Sequence, residues 1–398
     1  MSELRSSVAE SFSLTQGGPF YRLRLRLRFG QPQEERTQVF RRALFAIVVT
    51  WLPLLVLSII QGLAYGNRLR IPFLHDFAVN IRFLVALPIL ILAEWSIDPH
   101  WRVLVVQFLR SGLVQEPELP RFEAVIGRVT RLRDSVLPEA ILVAVVYSSL
   151  LFGSHTELLM GSASNWHTLG QGSSQGLSMA GWWFNIISTP LFRFFGLRWM
   201  WRMVLWTLFL WRTSKIGLHL VATHTDLAAG LGFLSAGQKR FGVIVFAGGA
   251  VVASQVGNAI AYGGATLAGM KFVIIGYGVF ATVLLVAPLL VTTPVLIKTK
   301  SQAILTYGAL VTSHNQSFAA KWIDGRAPQG GEILGNPDPS SLIDLGSSFQ
   351  VVQQMKPMPL NKSTFITLAA AAALPMVPLV VLVTPADELI RAVLKMLM

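Results

Sequence analysis

Four arginines, Arg193, Arg198, Arg202 and Arg212, stand in an otherwise apolar stretch from Trp182 to Arg212 that also holds six of the chain's eleven tryptophans. Two glutamates, Glu94 and Glu139, and one more arginine, Arg82, interrupt other apolar runs. Charged side chains at membrane depth are costly, so they face protein, water or an ion rather than lipid. The chemistry open to them is ion pairing, charge selection or gating, and a net positive path favours anions. Acid–base work by Glu94 and Glu139 would need a richer polar set around them. In a further apolar run, Gly249, Ala253 and Gly257 recur every four residues, beside Ser254, Gln255 and Asn258. Small residues at that spacing let helices approach closely. Ser254 and Asn258 read either as packing hydrogen bonds or as the neutral lining of a hydrated path.

Other constellations are weaker. His219, His224 and Asp226 suit a metal or a proton relay by type, but a spacing of five does not put both imidazoles on one helical face. His75, Asp76, His155, Glu157 and His167 read as solvated loop residues, with pH sensing as the sharper alternative. The run Gly232 to Lys239 departs from a phosphate-binding loop: its lysine is one residue late and no Ser or Thr follows. The chain has no cysteine, which removes disulfides, thiolate metal sites and cysteine nucleophiles. No metal and no cofactor is expected.

The elements that must position these groups are membrane helices. Only 13% of the 398 residues are charged and the mean hydropathy is +0.56; soluble domains carry about 25% charged residues. The formal charge of +13 fits a positive-inside bias and contact with anionic head groups rather than nucleic acid, for which no binding motif is present. The first long apolar run begins near Ala43, too far in for a cleavable signal. A crossing helix needs about 20 apolar residues. Seven segments qualify: 43–63, 78–97, 136–153, 181–211, 241–263, 271–297 and 363–384. Residues 1–42 form a basic segment before the transmembrane domain, 43–398, whose longest polar loops are 97–135 and 298–362.

Lys and Arg counts set the orientation. The N-terminal segment and alternate loops carry 23, against four on the other side, Arg68, Arg70, Arg391 and Lys395. The expectation is an all-α membrane protein with a cytoplasmic N-terminus and an external C-terminus. Residues 99–114 show apolar residues at helical spacing between Arg102 and Arg110 and read as a cytoplasmic interfacial helix. Tyr21 to Phe29 alternates leucine with arginine, a period-two pattern, on what is otherwise a basic tail. Residues 324–341 are turn-rich, 341–356 resume a helical pattern, and no internal repeat is evident.

Depth then brings charges together. Glu94 ends the second span and Glu139 begins the third. Arg198 and Arg202 lie roughly 25–30 Å along the fourth, at 1.5 Å per residue. All four fall in one leaflet, as a buried or partly hydrated ion-pair cluster. Against this stands a simpler expectation: Arg202 and Arg212 snorkel to head groups and the tryptophans form an interfacial belt. Pro190 would break the helix and move Arg193 outward.

His224-Thr-Asp226 with Gly230-Leu-Gly232-Phe-Leu234, and Asp344-Leu-Gly346-Ser-Ser348-Phe349 with Met355-Lys-Pro357, resemble two patterns in uncharacterised bacterial multi-pass membrane proteins. The resemblance implies an inner-membrane location and conveys no activity. Together the observations suggest a channel or transporter for small ions, as a homo-oligomer contacting anionic lipid. Arg82, Glu94, Glu139, Arg193 and Arg198 would carry charge selection, with Ser254 and Asn258 as lining. Two alternatives are a non-transporting scaffold or sensor that docks a soluble partner, and a lipid-modifying enzyme built on His219, His224 and Asp226.

Overall fold

The computed structural model describes residues 8–26, 35–66, 69–151, 165–169, 176–324, 333 and 335–383. Expectations on His155, Glu157, Arg68, Arg391, Lys395 and the C-terminus lie outside these residues. Among the described residues the regular structure is helical, apart from a two-stranded ladder pairing Thr168–Leu169 with Gly176–Leu177. Among the described residues, five helices are long and apolar enough to cross a membrane. They are α2 (Arg36–Ile60), α3 (Phe77–Arg110), α7 (Phe233–Gly263), α8 (Lys271–Leu290) and α11 (Lys362–Leu382). Between them lie α4 (Leu119–Asp134), α5 (Val136–Leu151) and α6 (residues 179–213). Helix α1 (Pro19–Arg26) precedes them, and α9 (Thr293–Trp322) and α10 (Pro337–Gln354) pair as a hairpin before α11.

Helix α3 is the axis of the bundle. It packs against α2, α6 and α7. Trp51 Nε1 donates to Asn80 Oδ1 near one end of α3, while Arg42 reaches Glu94 further along it, so α2 runs antiparallel to α3. Asn258 meets Asp76 at the first end and the Phe241 ring lies 5.6 Å from that of Trp101 at the other, so α7 is antiparallel too. This alternation gathers the N-terminal segment, α4, the loop 214–232 and the α9–α10 hairpin at the end of α3 that bears Arg110.

Helices α3 and α6 repeat one local design. Each begins at a capping side chain: Asp76 accepts from Val79 N–H, and Ser178 accepts from Gly181 N–H. Each then carries a π-helical turn, Arg82–Ala86 and Phe184–Ser188, six to ten residues after its cap. A proline follows two residues later, Pro88 or Pro190. Proline lacks an N–H and its ring crowds the carbonyl four residues back. The wider π turn relieves both demands. Helix α6 therefore runs through Pro190 unbroken. Trp166 ties the two caps together: its Nε1 donates to Asp76 Oδ2 at 3.0 Å, and its carbonyl accepts from Ser178 Oγ at 2.8 Å.

Several sequence expectations change. Residues 99–110 are no separate interfacial helix but the buried end of α3, with Trp101, Leu104, Val105 and Phe108 in the core. Pro99 is accommodated inside that helix. The period-two segment is helical over Pro19–Arg26, with proline at its start where a missing N–H costs nothing. Helix α8 stops at Leu290, short of the expected 297, and the chain turns at Val291–Thr292 into α9. Much of the expected loop 298–362 is thus the α9–α10 hairpin.

The core is aromatic. Trp101 lies within about 6 Å of the Trp199, Trp206 and Phe241 rings, and Phe108, Phe122 and Phe209 extend the cluster. Trp199 and Trp206 are therefore interior residues, not members of a belt; Trp182 and Trp211 remain exposed. Trp199 Nε1 donates to the Leu90 carbonyl at 2.8 Å, satisfying its one polar atom where no water reaches. The small face of α7 takes α11: a Cβ at Gly249 would lie 3.1 Å from the Ala372 carbonyl oxygen, and one at Gly257 3.5 Å from Leu379.

Candidate functional site

Glu94 is the centre of the charged interior. It sits on α3, buried. Arg202 Nη2 approaches its Oε1 to 2.6 Å and Arg198 Nη1 to 3.4 Å. These two arginines are four residues apart on α6, a spacing that puts both on one helical face. On the other side, Arg24 Nη1 of α1 and Arg42 Nη1 of α2 reach Glu94 Oε2 at 3.5 and 3.6 Å. Arg198 Nε also lies 3.6 Å from Glu139 Oε1 of α5. Glu139 Oε2 accepts from Phe20 N–H at 2.7 Å, and the Phe20 ring lies under the Arg198 guanidinium at 4.7 Å. Glu94, Glu139, Arg198 and Arg202 thus meet. Arg202 does not snorkel to a head group. Its side chain is closed in by Glu94 and by the Trp199 ring, 4.7 Å away.

The cluster is unbalanced. Among the described residues, four guanidinium groups face two carboxylates, and Arg198 and Arg202 are almost wholly buried. A buried cation without a counter-charge is expensive, so the surplus makes this region attractive to an anion.

The N-terminal segment completes the site. One helical turn beyond Glu94, Asp98 Oδ1 accepts from Ser13 Oγ at 2.8 Å, Leu14 N–H at 3.0 Å and Thr15 N–H at 3.1 Å. Arg133 donates to the Ser13 carbonyl at 2.7 Å, and Asp134 accepts from Gly18 N–H at 2.9 Å. Phe12 and Leu14 are buried. What reads as a basic tail is a strap, pinned at both edges, that delivers Arg24. Between the strap, α2 and α3 lies a cavity of about 180 Å³ lined by Tyr21, Arg24, Arg42, Glu94, Asp98 and Arg102, among others.

The remaining expected site residues lie elsewhere. Arg82, twelve residues before Glu94 on α3, is not among its ion-pair partners; its guanidinium lies 5.9 and 5.7 Å from the Phe184 and Phe192 rings. Arg193 is half-buried on α6, five residues before Arg198. Asn258 is fully buried, with Nδ2 donating to Asp76 Oδ1 at 2.7 Å and Oδ1 accepting from Phe77 N–H at 3.0 Å. Ser254 bonds back to the Val251 carbonyl at 2.8 Å. Both polar groups of the Asn258 amide join α7 to the start of α3, which fits the packing reading of its position. The role of Asp76 has a sequence signal, an Asp just before an apolar helical run. Arg24, Arg42 and Asp98 have none, because their partners are remote in sequence.

The loop 214–232 is held by Asp226. Its carboxylate accepts from the N–H groups of Ala228, Gly230 and Gly232 at 2.8, 3.2 and 2.7 Å. Leu227 and Ala229 sit at φ 58° and 52°, a conformation that costs non-glycine residues about 1 kcal/mol or more. The three hydrogen bonds hold that strain. A Cβ at Gly232 would lie 2.8 Å from Asp226 Oδ2, so only glycine fits there. Among the described residues no group of three or more His, Asp or Glu could hold a metal ion, so His219 does not join His224 and Asp226 in one. Burial raises the Asp226 carboxyl, but the backbone donors outweigh it and hold it below its ordinary 3.8. A depressed carboxylate contributes stability that is present above that ordinary value and lost as pH falls through the folded one. Asp226→Asn should therefore flatten the acid side of a plot of unfolding temperature against pH, below about pH 4. An unchanged acid limb would count against this anchor.

Comparison with known proteins finds no matching family model, no similar curated protein and no similar solved structure.

Proposed function

We propose that this chain is a multi-pass protein of a bacterial inner membrane that passes small anions, with the Glu94 cluster as its closed gate. One observation carries the reading: a buried carboxylate bracketed by four guanidinium groups, beside a polar cavity. A gate of this kind holds its arginines on Glu94 until an anion takes over some of those contacts. The π turns in α3 and α6 lie between the gate and the capped end, and such turns are frequent at functional sites. The alternating helix directions support seven crossings, counting α5 and α6, with the N-terminal strap and the α9–α10 hairpin in the cytoplasm. Anionic lipids would border the basic end, and a homo-oligomer would cover exposed apolar helix faces.

The test is flux through purified protein in liposomes. Chloride, nitrate or phosphate should cross under an imposed potential faster than in protein-free vesicles, and Arg198→Met should lower the rate severalfold. No flux of any of them, under any gradient, pH or tension, would sink the reading. The α9–α10 hairpin favours a second reading, a scaffold. Of its residues only Leu296, Ala303 and Val352 are buried, while Leu305, Leu310 and Ile343 are exposed. A soluble protein that co-purifies with the whole chain and is lost on Leu305→Asp would favour it.

A further inference from the structure

We infer that the cavity between the strap, α2 and α3 is a binding site for a phosphate ester that carries a hydroxyl group. Its walls come from three parts of the chain: Arg24 from α1, Arg42 from α2, and Asp98 and Arg102 from α3. Among the described residues, three buried polar atoms of these side chains have no hydrogen-bond partner: Arg24 Nε, Arg102 Nε and Asp98 Oδ2. Leaving a buried donor or acceptor unmet costs about 1–3 kcal/mol each, and a bound group that drew these side chains toward the cavity would recover that cost.

Their types define that group. Two are guanidinium donors, which suit the oxygens of a phosphate. The third is a carboxylate oxygen, which needs a donor and repels a bare anion. Asp98 cannot turn away, because its other oxygen holds Ser13, Leu14 and Thr15. A simple anion would satisfy the arginines and leave Asp98 unmet. A phosphate ester with a hydroxyl nearby satisfies both. Arg102 forms no ion pair within 4.0 Å among the described residues, unlike Arg24 and Arg42, whose Nη1 atoms are already on Glu94. The ligand therefore adds charge balance to the same over-positive region.

Two sources share this chemistry, the head group of an anionic glycerophospholipid and a soluble polyol phosphate. The surroundings favour the lipid. Trp95 lines the cavity, is half-exposed, and lies under the Arg36 guanidinium at 5.8 Å. Leu23, Leu25 and Phe40 are exposed on α1 and α2 nearby. An exposed aromatic and aliphatic rim beside arginines is the composition of a membrane interface. The site stands whether or not anions cross the protein, since a resident head group needs no transport.

The experiment compares the whole chain in two settings. In detergent, unfolding temperature is followed against glycerol 3-phosphate and propyl phosphate. In nanodiscs, it is followed as phosphatidylglycerol replaces phosphatidylcholine. The expected result is a saturable rise with glycerol 3-phosphate, with phosphatidylglycerol, or with both, and a weaker response to propyl phosphate. A rise in nanodiscs alone assigns the lipid head group, and a rise in detergent assigns the soluble ester as well. Arg102→Gln, which breaks no hydrogen bond or ion pair among the described residues, should weaken the response about tenfold or more, whereas Arg240→Gln on the exposed surface should not. No saturable rise in either setting, or an equal rise in Arg102→Gln, overturns the assignment. Flux is read separately, so loss of this site and loss of the transport reading are distinguishable.

Discussion

Glu94→Gln should destabilise the folded protein more than the loss of any one of its arginines. Removing one partner of a buried ion pair costs about 3–5 kcal/mol, because the other charge is left uncompensated. Here one carboxylate faces four guanidinium groups, and its loss leaves Glu139 alone, 3.6 Å from Arg198. Arg202→Gln removes the shortest contact but leaves Glu94 three cations and lowers the surplus, so its cost should be about 1–2 kcal/mol, in the range of a charge-assisted hydrogen bond. In the double variant the two costs should fall short of their sum by about 1 kcal/mol or more, as they do for residues in one network. Denaturant unfolding of the single and double variants in mild detergent reads all three quantities. Additive costs, or an arginine loss as damaging as the glutamate loss, would show that the cluster is not organised around Glu94.

Depth was the legible part of this site. Helical rise along alternating spans is enough to place Glu94, Glu139, Arg198 and Arg202 at one level, and the structure brings them within ion-pair distance. Depth says nothing about which face a residue presents. Trp199 and Trp206 have the composition of an interfacial belt, yet they are interior, because they sit on the face of α6 turned to Trp101. The strap was not legible either. Its Leu–Arg alternation describes a surface segment, while its anchoring depends on Asp98, Arg133, Asp134 and Glu139, all more than 80 residues away in sequence. Pro190 carried a break signal that the π turn at Phe184–Ser188 absorbs. The matching order of cap, π turn and proline in α3 and α6 escapes a search for repeats, because only the cap and the proline leave a mark in sequence, and the caps differ in residue type.

The second large effect is expected at the opposite end of α3. Asp76→Ala should leave little folded protein. Its carboxylate accepts from Val79 N–H at 3.1 Å, Trp166 Nε1 at 3.0 Å and Asn258 Nδ2 at 2.7 Å, all at a buried position. His167 Nε2 lies 3.8 Å from the same group. Alanine strands three donors at about 1–3 kcal/mol each, a total comparable with the 5–15 kcal/mol that holds an ordinary domain together. Asp76→Asn should be milder but still costly, since an amide keeps one acceptor oxygen and turns an NH₂ toward donors. Asn258→Ala should be the mildest, because Asp76 then keeps Val79 and Trp166. The ranking separates a structural clasp from a titrating sensor. For a clasp, the order Ala, Asn, Asn258→Ala in loss of monodisperse protein on size-exclusion chromatography should be the same at pH 5 and pH 8. For a sensor centred on His167, His167→Gln would abolish a pH response while leaving protein yield unchanged. Gly181 gives an independent check on the clasp. A Cβ there would lie 2.2 Å from the His167 carbonyl oxygen, so Gly181→Ala should push the Trp166–His167 segment off both caps and reproduce the Asp76→Ala loss without touching any charge.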